Sequence, residues 1–172
     1  GRDRMSGIGF EIGLVLVLMV VNAAFAGSEV ALISLREGQL RRLEAEGGRG
    51  RLVAELARDP NQFLSTVQIG ITLAGFLASA VAAMSLARPL VQPLGFLGTW
   101  AEPAAIVAVT IVLSFASLVV GELAPKRIAL QRSEGWARVA ARPLAAISTA
   151  TRPLVWLLSV SSDALVRLDH LA

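Results

Sequence analysis

Residues 61–87 read NQFLSTVQIGITLAGFLASAVAAMSLA, a stretch with no charge. At roughly 1.5 Å per residue, about 20 helical residues cross the hydrocarbon of a bilayer, so this segment is long enough to span. Asp59-Pro60 marks its start, a capping side chain followed by proline at the first helical position. Working outward, a second span covers about 10–35, interrupted between Ile12 and Leu35 only by Asn22, Ser28, Glu29 and Ser34. A third covers about 103–124, uncharged from Ala104 to Gly121, with Glu102-Pro103 repeating the start device. The first span is too long and too far from a basic region for a signal peptide. Pro143–Thr151 and Pro153–Ser162 are apolar but too short to cross.

Composition agrees with a bilayer as solvent: 55% of the 172 residues are hydrophobic, and mean hydropathy is +0.65. Cysteine is absent and the single histidine is His170. That excludes disulfides, thiolate chemistry and histidine-based zinc sites within the spans. The fold expected is an all-α membrane protein forming one domain over 1–172. It has three transmembrane helices, short amphipathic cytoplasmic helices over 36–58, and a juxtamembrane helical region over 134–171.

Arginines set the orientation. Arg36, Arg41, Arg42, Arg49, Arg51 and Arg58 lie between the first two spans, and Lys126, Arg127, Arg132, Arg138, Arg142, Arg152 and Arg167 follow the third. The loop between spans two and three holds only Arg88. The positive-inside bias predicts an N-terminus outside and a C-terminus in the cytoplasm. Leucines mixed with charges around Gly47-Gly48-Arg49-Gly50 predict two short amphipathic helices over Gln39–Leu56. Trp100, Trp136 and Trp156 fall where interfacial anchors belong, and the tail reads as an interfacial helix or one packed beneath the bundle.

Polar groups inside the spans share one layer. From the outer end, Ser28 and Glu29 on span one and Gly121 and Glu122 on span three all lie about 26 Å down by helical rise. Span two runs the other way and brings Ser65, Thr66 and Gln68 to that depth. Pro125 has no N–H, so the Gly121 carbonyl loses its helical partner. A free carbonyl beside the Glu122 carboxylate suits a hard cation, and an oxygen-only donor set favours Mg²⁺, Ca²⁺ or Na⁺. The expected ligands are Glu122, the Gly121 carbonyl, Ser28 and Ser65. Glu29, Gln68, Asn22, Thr72, Ser114 and Ser117 are candidates for an outer shell or a Na⁺ site. Pro125, Lys126, Gly27 and Gly70 are structural at the site. Simpler roles compete: Glu29 and Glu122 reaching interfacial water, Ser65, Thr66, Ser114 and Ser117 packing helices, Asn22 packing or gating, and Lys126 snorkelling to phosphate.

Three strings carry a resemblance. FAGSEVALISL at 25–35, FLSTVQIGITLAG at 63–75 and GELAPKRIA at 121–129 resemble the signatures of the CorC/CNNM family, whose transmembrane domain is of the DUF21 type. One departure is Ile71, where many relatives carry asparagine. The resemblance implies a bacterial plasma-membrane (inner-membrane) homodimer, not an enzyme, that exports Mg²⁺ with Na⁺ as coupling ion. It also implies that full-length relatives continue into a CBS-pair nucleotide-binding module, so no ATP site is expected in these residues, and no nucleic-acid partner. Small residues at Ala74, Gly75, Ala78 and Ala82 fit a close helix interface. The rival readings are a Mg²⁺-sensing scaffold or regulator that does not carry the ion, a channel, and an intramembrane hydrolase using Glu29 and Glu122.

Overall fold

A computed structural model describes residues 2–169. Gly1, the side chains of Arg2 and Arg4, and residues 170–172, among them His170 and the end of the expected juxtamembrane helix, lie outside that description. The described residues form helices and turns with no strand. They divide into two compact units.

The first unit takes the chain up to Gly27 together with Gly70–Ile128. Its helices are the N-terminal part of α1 (Arg2–Ile33), the later part of α4 (Pro60–Val81), the single turn α5 (Arg88–Val91), α6 (Ala101–Leu118) and most of α7 (Ala124–Gln131). α4 runs on into a π-helical turn at Ala82–Leu86, where the Ala87 N–H donates to the Ala82 carbonyl at 3.1 Å. A short 3₁₀ stretch, Gly95–Trp100, leads into α6, which packs on α5 and on that π turn. Gly70 lets α1 and α4 close up: a Cβ there would sit 2.5 Å from the Phe25 ring. Small residues allowing close backbone approach are what hold helices together in lipid.

The second unit takes Ser28–Ile69 and the chain from Ala129 onward. The expected amphipathic pair is present as α2 (Glu37–Glu46) and α3 (Gly48–Arg58). They reverse direction at Gly47, whose φ of 72° favours glycine. Leu40, Leu43, Val53 and Ala54 are buried, and a Cβ on Gly50 would stand 2.5 Å from the Leu43 carbonyl oxygen. Outside this core, Arg58 pairs with Glu44 and Glu37, Arg42 with Glu134, and Arg138 with Glu46 and Glu134. The hydrogen bond from Arg58 to Glu44 is the main reason its pKa lies above the ordinary arginine value.

α8 (Ser133–Asp169) occupies the region expected to be a juxtamembrane helix, and within it the two short apolar runs join into one helix of 37 residues. Pro143 and Pro153 are exposed, so the carbonyls they leave unpaired lie on the outer face, where water or headgroups reach them. Three spans were expected. Among the described residues, four helical runs are long and apolar enough to cross a membrane: Met5–Ile33, Pro60–Leu86, Gly95–Gln131 and Ser133–Asp169. Only 11% of the most apolar stretch of the third is buried, an apolar surface suited to a bilayer rather than water. In α8, Arg138, Arg142, Arg152, Asp163 and Arg167 interrupt the apolar sequence, whereas 61–87 and 104–121 carry no charge.

Candidate functional site

The residues singled out from the sequence fall in both units. Gly121, Glu122, Pro125, Lys126, Asn22, Thr72, Ser114, Ser117, Gly27 and Gly70 belong to the first; Ser28, Glu29, Ser65 and Gln68 belong to the second.

In the first unit the long helix following the Gly95–Trp100 turn changes its winding at the motif. α6 gives way to a π-helical turn, Val119–Leu123, in which the Ala124 N–H donates to the Val119 carbonyl. Pro125, buried, cannot donate to the Gly121 carbonyl four residues earlier. The side chain of Asn22 does so instead: its Nδ2 donates to the Gly121 oxygen at 3.1 Å, and both residues are buried. Glycine eases this approach, since a Cβ at position 121 would lie 3.0 Å from that nitrogen and push the amide back. Pro125, Gly121 and Asn22 thus form one device: a carbonyl without its i+4 donor, accepting from a side chain of another helix. Glu122 and Lys126 flank it, both half-buried. Thr72 and Ser114 are exposed and Ser117 is half-buried.

In the second unit Ser28 is 4% exposed and its hydroxyl oxygen accepts from the Trp136 Nε1 at 3.2 Å. Glu29 and Ser65 are half-buried and Gln68 is exposed. Thr66 is fully buried and donates to the Gln62 carbonyl one turn back at 2.8 Å, the packing role allowed for it from the sequence. Gln62 reaches α8 through its Nε2, which donates to the Ser148 hydroxyl at 3.1 Å and carbonyl at 3.2 Å. Sequence reasoning missed Gln62 and gave Trp136 only an anchoring role. The available signal was general: a buried indole N–H seeks an acceptor.

No three His, Asp or Glu side chains gather among the described residues. The profile described as the Cyclin M transmembrane N-terminal domain, CNNM, matches residues 13–170. The chain belongs to the CNNM family. Among its relatives, the UPF0053 protein sll0260 of Synechocystis is 42% identical over 167 residues, covering 95% of this chain and 37% of the relative. UPF0053 protein YhdP of Bacillus subtilis is 30% identical over 158 residues, 90% of this chain and 36% of the relative. The UPF0053 inner membrane protein YfjD of Escherichia coli is 32% identical over 149 residues, 86% of this chain and 32% of the relative. This CNNM domain therefore spans about a third of the length of these relatives. Its long apolar helices and its family together place it in a membrane.

Proposed function

We propose that the chain transports Mg²⁺ across the membrane, outward, with Na⁺ as the coupling ion. Glu122, the Gly121 carbonyl, Ser28 and Ser65 are the proposed ligands. The observation that carries this reading is the buried Gly121 carbonyl, which loses its i+4 donor at Pro125 and accepts from the side-chain amide of Asn22. Irregular backbone at membrane depth persists where protein or a hydrated cavity satisfies it. A carbonyl oxygen has two lone pairs, so one can serve an ion beside the Asn22 amide. The half-buried Glu122 beside it supplies the negative charge that a divalent cation needs. The arginine distribution supports an N-terminus outside and a C-terminus in the cytoplasm. The proposal includes a homodimer in the inner membrane and no enzymatic activity.

Mg²⁺ prefers octahedral oxygen at about 2.0–2.1 Å and loses water reluctantly, so loss of one charged ligand has a large effect. Calorimetry on the purified chain tests the site: Glu122→Ala is expected to abolish Mg²⁺ binding while the protein stays folded and membrane-embedded. Efflux from proteoliposomes with and without an opposing Na⁺ gradient then separates a carrier from a Mg²⁺-sensing scaffold, which binds but carries nothing. Wild-type flux in Glu122→Ala would overturn the assignment.

A further inference from the structure

The bond between Trp136 and Ser28 has a use beyond anchoring a helix. A serine hydroxyl has one hydrogen and two lone pairs. The indole N–H of Trp136 takes one lone pair of the Ser28 oxygen at 3.2 Å. Ser28 is nearly fully buried and Trp136 half-buried, so water competes little for that contact. The bond holds the Ser28 oxygen in place and keeps its hydrogen from turning toward the indole. An indole ring also holds its N–H in place with few rotatable bonds, unlike a lysine or glutamine donor.

We propose that Trp136 is a positioning residue for the ion ligand Ser28, orienting its oxygen for a divalent cation and tying the first turns of α8 to ion binding. The inference rests on the proposed ligand role of Ser28. Trp136 lies in the first turn of α8, which Gln62 also ties to α4 through Ser148. A cation that pulls on the Ser28 oxygen therefore pulls on a bond to α8. Coupling of this kind is reciprocal: whatever displaces α8 changes ion affinity, and the ion changes the surroundings of the indole. The hydroxyl is the shared element, so both effects disappear when it is removed.

Mg²⁺ calorimetry on the full chain with Trp136→Phe, Ser28→Ala and the double variant provides the test. Phenylalanine keeps most of the ring and removes the donor. Trp136→Phe is expected to weaken Mg²⁺ binding about three- to tenfold, the range for one net hydrogen bond. Ser28→Ala weakens it further, and adding Trp136→Phe to Ser28→Ala changes nothing more. A merely structural tryptophan would instead give additive losses, and additivity overturns the inference. A second readout needs no change at position 136. Trp100 and Trp156, 71% and 66% exposed, are replaced by phenylalanine so that Trp136 alone fluoresces. Its emission is expected to shift on Mg²⁺ titration with the calorimetric midpoint, and to stay flat with Ser28→Ala. No shift while Ser28→Ala still weakens binding removes the role of Trp136 and leaves the ligand role of Ser28 intact. Unchanged binding by Ser28→Ala removes both.

Discussion

Val107, Ile111, Val112 and Phe115 on α6 are all more than half exposed, whereas Leu43 and Val53 in the α2–α3 hairpin are fully buried. The two regions carry similar apolar side chains and use them in opposite ways. In water, burying Leu43 and Val53 is itself a driving force. In a bilayer, lipid tails are as apolar as the helix, so side chains like those of α6 gain little by leaving them. What holds the first unit together is therefore close approach and a few polar contacts, such as Phe25 against Gly70 and Asn22 on the Gly121 carbonyl. The hairpin combines an apolar core with an ionic exterior. One sequence thus folds by two sets of rules, and each set has its own weak point.

Glycine substitutions separate the two most sharply. Alanine is the better helix former by up to about 1 kcal/mol, so Gly→Ala in a helix stabilises unless the added carbon has no room. At Gly50 it meets the Leu43 backbone carbonyl at 2.5 Å, and backbone cannot rotate away. Gly50→Ala is expected to destabilise the hairpin by about 1–3 kcal/mol. Hydrogen exchange should then rise across α2 and α3 while α6 keeps its protection. A more stable hairpin would show that α2 and α3 are not in contact there. At Gly70 the obstacle is the Phe25 ring, a side chain that can move. Gly70→Ala is expected to cost less, about 1 kcal/mol in detergent melts, and Phe25→Leu should recover most of it. Failure of that rescue would mean that something other than the ring limits the approach.

Much of this difference was legible in the sequence. The uncharged run at 61–87 and its two neighbours announce membrane helices, and the mixed leucine–arginine pattern at 39–56 announces helices at a water boundary. The helical character of 134–171 was legible too, but not its length as one apolar run: Arg142, Arg152 and Asp163 cut the sequence into runs too short to span. The helix continues through both Pro143 and Pro153 and joins those runs. Around Gly121, the absence of a helical partner followed from Pro125 alone. That Asn22 replaces it did not, because the two residues lie 99 positions apart and an asparagine in a span fits packing, gating or ligation equally well. Trp136 shows the same limit: its type announced a need for an acceptor, but only the fold says that the acceptor is Ser28.

The smallest effect expected concerns the charges on the hairpin. Arg42 reaches from α2 to Glu134 on α8, and Arg138 on α8 answers with Glu46 on α2 and Glu134 on its own helix. These side chains are substantially exposed, Arg42 at 59% and Glu46 at 42%, so water and salt weaken their attraction. The Debye length falls from about 10 Å at 0.1 M salt to about 3 Å at 1 M, which screens the network but leaves Leu43 and Val53 buried. Raising NaCl over that range is expected to speed amide exchange in α2 by about two- to threefold, the change that a few tenths of a kcal/mol produces. α6, which has no such pairs among the described residues, should not respond. Arg42→Gln should produce a comparable increase at low salt and remove much of the remaining salt response, since it deletes one of the links that salt would screen. If α2 exchanges equally at both salt concentrations, its docking on α8 is apolar throughout, and the contrast between the regions reduces to water on one side and lipid on the other.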